Sequence, residues 1–218
     1  MIRLKKSYPN EFEEEVNPQS EKVKEKLIAD QNGKCYLCER ITETDFQVEH
    51  LRSRKDCGEF ERKWNNLLLA CSYCNQKKGS NDIIINPLNI DVEVAIKQKI
   101  DFENKQVQFS LVSNSENLDF KPVINLLGDI FNGNVKPRKI KEERFFDHVL
   151  AGLNLFQGVL REYIEEPTPE HAEKVRTLLN IKEEFLGLKY WIIKSNPKLE
   201  REFAKDIVWN KDADKTEM

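Results

Sequence analysis

The sequence predicts an α+β fold: a metal-clamped unit in residues 1–88, followed in 89–218 by a β-hairpin and a mainly α-helical remainder. Three observations carry this reading. Two Cys-x2-Cys pairs stand at Cys35/Cys38 and Cys71/Cys74. The segment Ala95–Val112 (AIKQKIDFENKQVQFSLV) alternates and turns back on itself at Glu103-Asn104. The last hundred residues carry apolar residues at helical spacing, with Thr or Asn caps and prolines at helix starts.

A chain of 218 residues can bury a real core as one large domain or two small ones. With 39% hydrophobic and 33% charged residues it reads as soluble. No apolar run approaches the roughly 20 residues that span a bilayer. The start, MIRLKKSYPNEFEEE, lacks the apolar stretch of a signal peptide, so the expected location is cytoplasmic, with no membrane partner. The net charge of −3 is unevenly spread. Residues 50–80 hold seven Lys/Arg against three acids, a local +4, and the remainder holds 28 against 35. A basic island in an acidic chain suits a phosphate-binding surface, or an ordinary solvated loop.

The elements follow in order. Ser20 caps a helix whose apolar stripe is Val23, Leu27 and Ile28 and whose stop is Gly33. Asp45–Glu49 alternates as a short strand, and Leu51–Lys63 has no period and reads as a loop. Leu67–Ala70 suits a buried strand or a helical turn. CSYCNQKKGS starts a short helix that Gly79 ends. After the hairpin, helices are expected from Pro137 to Tyr163, from Thr168 to Leu186 and from Pro197 to Val208, with a disordered tail at 210–218. The apolar face Phe145, Phe146, Val149, Leu150, Leu153 and Phe156 serves as core or as a docking surface.

Four of the five cysteines form the two pairs, which in a reducing compartment indicates metal in place of disulfides. Two tight turns, each presenting two thiolates, complete a tetrahedral S4 site of the kind structural Zn2+ prefers. Such a site has no open position, so this zinc is expected to be structural. The 32 residues between the pairs must themselves fold. Cys57 has no partner and reads as a free thiol. His148 and His171, inside helical patterns, read as structural, and Trp64 as core.

Between the cysteine pairs lie Glu49-His50 and Trp64-Asn65-Asn66-Leu67, and after Cys74 comes Asn75-x2-Lys78. In this order the elements resemble the zinc-supported HNH endonucleases of the ββα-metal superfamily, over Cys35 to about Gly79. The resemblance implies phosphodiester hydrolysis, with His50 as general base and Glu49 and Asn75 as ligands of a catalytic Mg2+ or Mn2+. Asn66, or its neighbour Asn65, would hold the loop that carries the base. Arg52, Lys77 and Lys78 would bind substrate phosphate. Here Asn75 replaces the commoner His and Glu49 the commoner Asp, and both keep an oxygen ligand. Asn75 reads otherwise as a helix cap.

The arrangement of the whole chain is similar to the HNH subunits of Septu anti-phage systems, a group that also occurs beside retrons. That likeness implies a DNA-cutting effector controlled by an ABC-type ATPase, PtuA, with residues 137–208 as the docking surface. The alternatives are a nuclease acting on RNA such as tRNA, a zinc-clamped module that binds nucleic acid without cutting, and a structural adaptor.

Overall fold

The computed structural model describes residues 1–6, 16–42, 44–53, 58–81, 85–112 and 119–209. Cys57 and the tail 210–218 lie outside the described residues. The fold is mixed α+β, with two separate two-stranded antiparallel sheets.

Helix α1 (Glu21–Asp30) starts where Ser20 accepts from the Val23 N–H and buries Val23 and Leu27. The chain then turns through Asn32 and Gly33, both at positive φ, into the first cysteine loop. Strand β1 (Phe46–His50) pairs with β2 (Leu67–Cys71) in a register that runs from Phe46 opposite Cys71 to His50 opposite Leu67. Between them, among the described residues, lies a 3-10 turn, Gly58–Phe60, and another, Trp64–Asn66, leads into β2. Helix α2 (Ser72–Lys78) follows at once and ends at Gly79, whose φ of 57° suits a residue without a Cβ.

All five residues of β2 are buried. Leu67 and Leu69 pack with Val23, Leu27 and Trp64, while Leu68 and Ala70 join the central core on the other face. A strand covered on both sides needs no polar alternation, which explains its unbroken apolar run. Gln31 fixes it further, since the Leu69 N–H donates to Gln31 Oε1 at 2.7 Å and Gln31 Nε2 donates back to the Leu69 carbonyl at 3.0 Å.

The second half opens with a short helix, α3 (Val92–Ala95), and the expected hairpin, β3 (Ile96–Asp101) and β4 (Gln106–Leu111). Then come α4 (Lys121–Asn132), α5 (Ile140–Glu165), α6 (Pro169–Leu178), α7 (Leu186–Lys194) and α8 (Pro197–Phe203). Thr168 and Asn196 cap α6 and α8 as expected. Three boundaries differ from expectation. The long helix starts at Ile140, and α8 stops at Phe203. The helix expected to reach Leu186 ends at Leu178, and a loop with Phe185 at φ 56° precedes α7. Within that loop Lys34 Nζ donates to the carbonyls of Ile181 and Glu183.

The apolar face of α5 is core. Phe145, Phe146, Val149 and Leu153 join the central cluster, and Phe156 and Leu160 join a second one with α6, α7 and α8. His148 is tied to Glu184 and His171 to the Glu166 carbonyl, both structural partners.

The cysteine loop docks on α7. The Glu39 carboxylate accepts from the Met1 amine and from the Gly187 N–H at 3.1 Å. A Cβ on Gly187 would lie 2.4 Å from Gln98 Nε2 and 2.8 Å from Glu39 Oε1. Gly187→Ala should therefore push the loop off α7 and cost about 1–3 kcal/mol, seen as a lower urea midpoint at unchanged slope.

Candidate active site and metal centre

The four predicted cysteines converge. Their Sγ atoms lie within 4.8 Å of one another, all buried, with Cys38 and Cys71 3.9 Å apart. Sulfurs bound tetrahedrally at about 2.3 Å from Zn2+ sit roughly 3.8 Å apart, so the donor set fits that ion. Burial pushes the Cys38 and Cys74 thiols well above their ordinary value. Hydrogen bonds from Cys35, Cys38 and Cys74 pull the Cys71 thiol down. Cys71 Sγ also accepts from the Cys74 N–H and caps α2, where the helix dipole favours an anion. Burial works against the Arg40 charge, yet the neighbouring Cys71 sulfur keeps its guanidinium firmly protonated. A divalent cation would let all four sulfurs ionise, which this interior otherwise resists.

The first loop is fixed by its backbone, with the Cys35 N–H on the Arg40 carbonyl and the Glu39 N–H on the Cys35 carbonyl. The Tyr36 N–H meets the Leu69 carbonyl, so this loop is tied to the strand that ends in the second pair. Cys71 and Cys74 in turn anchor the first turn of α2. That anchoring sets the rotation of the helix, and Asn75 and Lys78, three residues apart, share the face that meets β1.

That face closes a cleft of about 530 Å³ in which Glu49, His50, Asn75 and Lys78 meet, with Ser53, Gly79 and Ser80 at its edge. Adjacent strand residues point to opposite faces, and Glu49 and His50 both line the cleft because β1 ends at His50. His50 Nε2 lies 2.9 Å from the Glu61 carbonyl. A carbonyl can only accept, so Nε2 carries a proton, and in the neutral ring Nδ1 is the basic nitrogen. Asn75 donates through Nδ2 to Gln47 Oε1, which leaves its Oδ1 as the atom suited to a hard cation.

Asn66 lies behind the cleft. Its Oδ1 accepts from the Arg52 N–H at 2.9 Å, and its Nδ2 donates to the carbonyls of Arg52 and Phe60. One amide thus ties together both ends of the loop that supplies Glu61 to His50. Lys6 supports the same turn by donating to the carbonyls of Trp64 and Leu67, and burial lowers its pKa to about 7.

The expected phosphate cations are dispersed. Lys78 is 1% exposed and its Nζ lies 2.6 Å from Glu49 Oε1 inside the cleft. Lys77 points to the opposite side of α2 and pairs with Glu142 at 2.5 Å. Arg52 is exposed over the Phe60 ring, outside the cleft lining. Gln47, Ser53, Gln19 and Lys24 are cleft residues that the sequence reading did not find. Gln47 had one signal, its place two residues before Glu49 on a strand.

A short ββα unit whose helix is anchored by buried cysteines thus brings a histidine, a carboxylate and an amide into one cleft, a donor set that could hold a hard cation. Residues 35–81 match the family model described as HNH endonuclease, and the chain carries an HNH endonuclease domain there. The chain is also similar to the Septu protein PtuB of Bacillus thuringiensis, at 38% identity over 72 residues. That match covers 30% of this chain and 28% of the relative. No solved structure matches.

Two outcomes follow from this geometry. Purified protein should release one equivalent of zinc on thiol titration with a mercurial, and Cys38→Ser or Cys74→Ser should abolish it and lower the melting temperature. Lys78→Met strands the Glu49 carboxylate in its pocket and should cost about 3 kcal/mol in chemical denaturation.

Proposed function

We propose that the protein is a metal-dependent HNH endonuclease, the nuclease subunit of a Septu-type anti-phage complex. The observation that carries this is the meeting of Glu49, His50 and Asn75 in one cleft of an HNH domain. Glu49 and Asn75 would hold one Mg2+ or Mn2+, and the cysteine tetrad a structural Zn2+. When bound, such a cation would polarise the phosphate as a Lewis acid and offset charge on the leaving oxygen. His50 takes the proton of the attacking water at Nδ1 while the oxygen bonds to phosphorus and the bond to the leaving alcohol breaks. The neutral imidazole is the form that acts as the base. The Glu61 carbonyl holds its ring, and Asn66 holds the Glu61 loop.

Within this reading residues 1–88 carry the chemistry and 89–218 brace it and dock the regulator. That regulator is an ABC-type ATPase of the PtuA kind, the setting is cytoplasmic, and retron components are further candidates for the assembly. The relative's name supports the defence role. DNA is the first substrate, with RNA as the alternative.

The test is nicking of supercoiled plasmid with Mg2+ or Mn2+, with and without the ATPase. His50→Ala should lower the rate about 10²–10⁴-fold. Asn75→Ala should lower it too, and raise the Mn2+ concentration needed for half-maximal rate. An Asn75→Ala protein with unaltered metal demand would return Asn75 to a capping role, and full activity in His50→Ala would overturn the mechanism.

A further inference from the structure

The face of α2 opposite the cleft is lined by Tyr73, Gln76 and Lys77, and it borders a second groove of about 700 Å³ against the start of α5. The groove continues into a third of about 320 Å³, which shares Tyr73, Gln76 and Lys141 with it and extends to Arg144. Together they form one trough. Its floor holds the Tyr73 ring and Ile140, which is 73% exposed.

The rim is cationic. Residues 136–144 (KPRKIKEER) hold five Lys/Arg and two acids. Both acids are engaged, Glu142 by Lys77 and Glu143 by Arg138 at 3.6 Å. Asp45, in the wall of the third groove, is paired with Arg40. Lys139, Lys141 and Arg144 are exposed and have no carboxylate partner among the described residues. Lys77, by contrast, has its charge consumed inside the rim.

We infer that a nucleic-acid strand lying in the His50 cleft crosses α2 and continues in this trough, with its phosphates on Lys139, Lys141 and Arg144 and an unstacked base against Tyr73 and Ile140. The inference rests on the nuclease reading. An aromatic and apolar floor under a cationic rim is the combination that holds single-stranded nucleic acid without sequence preference. A helix is about 10 Å across with its side chains, a distance that a few nucleotides span. Charge complementarity selects a polyanion, and α2, which lines both cavities from opposite faces, places the trough beside the strand being cut.

The experiment uses the full chain with His50→Ala to prevent cleavage. Binding of a fluorescein-labelled single-stranded oligonucleotide, as DNA and as RNA, is read by anisotropy across a salt series. The variant Lys139→Gln/Lys141→Gln/Arg144→Gln should bind at least tenfold more weakly at low salt, and its log–log salt slope should fall by about 2. Replacing Lys139 and Lys141 by Arg should restore both values. Unchanged affinity and slope would overturn the inference. So would loss of ATPase binding with oligonucleotide binding intact, which would give the trough to a protein partner. Hydrolysis of bis(p-nitrophenyl) phosphate, a diester too small to reach the trough, should be the same with and without the triple substitution when His50 is present. Failure of that assay in the otherwise native chain would strike the nuclease reading alone, because anisotropy still reads the trough.

Discussion

Four thiols gathered within 4.8 Å in the interior are the constraint on which the rest of the structure depends. Sulfur atoms of like charge do not assemble in a low-dielectric core unless a cation offsets them. The surrounding chain is organised to serve that meeting point. The first loop is tied by backbone bonds to the middle of β2, and the second pair sits where β2 becomes α2. Loop, strand and helix therefore share one origin, and the cleft inherits its geometry from that origin. Asn75 is adjacent to Cys74 in the chain, so an error in the position of the cysteines passes to the amide with no intervening flexibility.

Helix α2 is short and has two working faces. Asn75 and Lys78 meet β1, and Tyr73 and Lys77 meet α4 and α5, where the Tyr73 hydroxyl donates to the Ile130 carbonyl at 2.8 Å. Seven residues give barely two turns, too few to be stable from propensity alone. The helix persists because the Cys71 sulfur caps its start, tertiary contacts hold both sides, and Gly79 ends it cleanly. Lysines at 77 and 78 follow each other in sequence and do opposite things. One braces the helix to α5, and the other pairs with Glu49 beside His50.

Much of the site could be read from spacing because local chemistry decides it. Cys-x2-Cys forms a turn that presents two sulfurs wherever it occurs, and Ser20, Thr168 and Asn196 cap helices through bonds to residues two or three positions away. Glu49 and His50 share a cleft because a strand stops, and the polar stretch after Leu51 signalled that stop. What stayed hidden depends on distant partners. Lys34 shapes a loop 147 residues further on. Lys78 reads as a ligand of substrate phosphate, and its buried pairing with a carboxylate 29 residues earlier is not visible in the sequence. Helix α4 carries no strong cap, and its start leans on Pro122 and on burial of Val123 and Leu127, so periodicity alone placed it in the helical half without bounds.

The HNH domain spans 35–81, and a segment of that size buries too little surface to hold a fully enclosed strand by itself. β2 needs cover on two faces. α1 and Trp64 supply one, and the other comes from the central cluster, which includes Phe131, Phe145, Phe185 and Leu188 from beyond residue 88. Packing thus runs straight across residue 88, where the sequence reading divided the chain. The tight approach of Gly187 to Glu39 and the Lys77–Glu142 pair are two polar seams of that joint, beside the bonds from Lys34 to the Ile181 and Glu183 carbonyls and from Tyr73 to the Ile130 carbonyl. These seams lie at the two cysteine pairs. The helical half therefore meets the nuclease unit at the two loops whose positions decide where Asn75 stands.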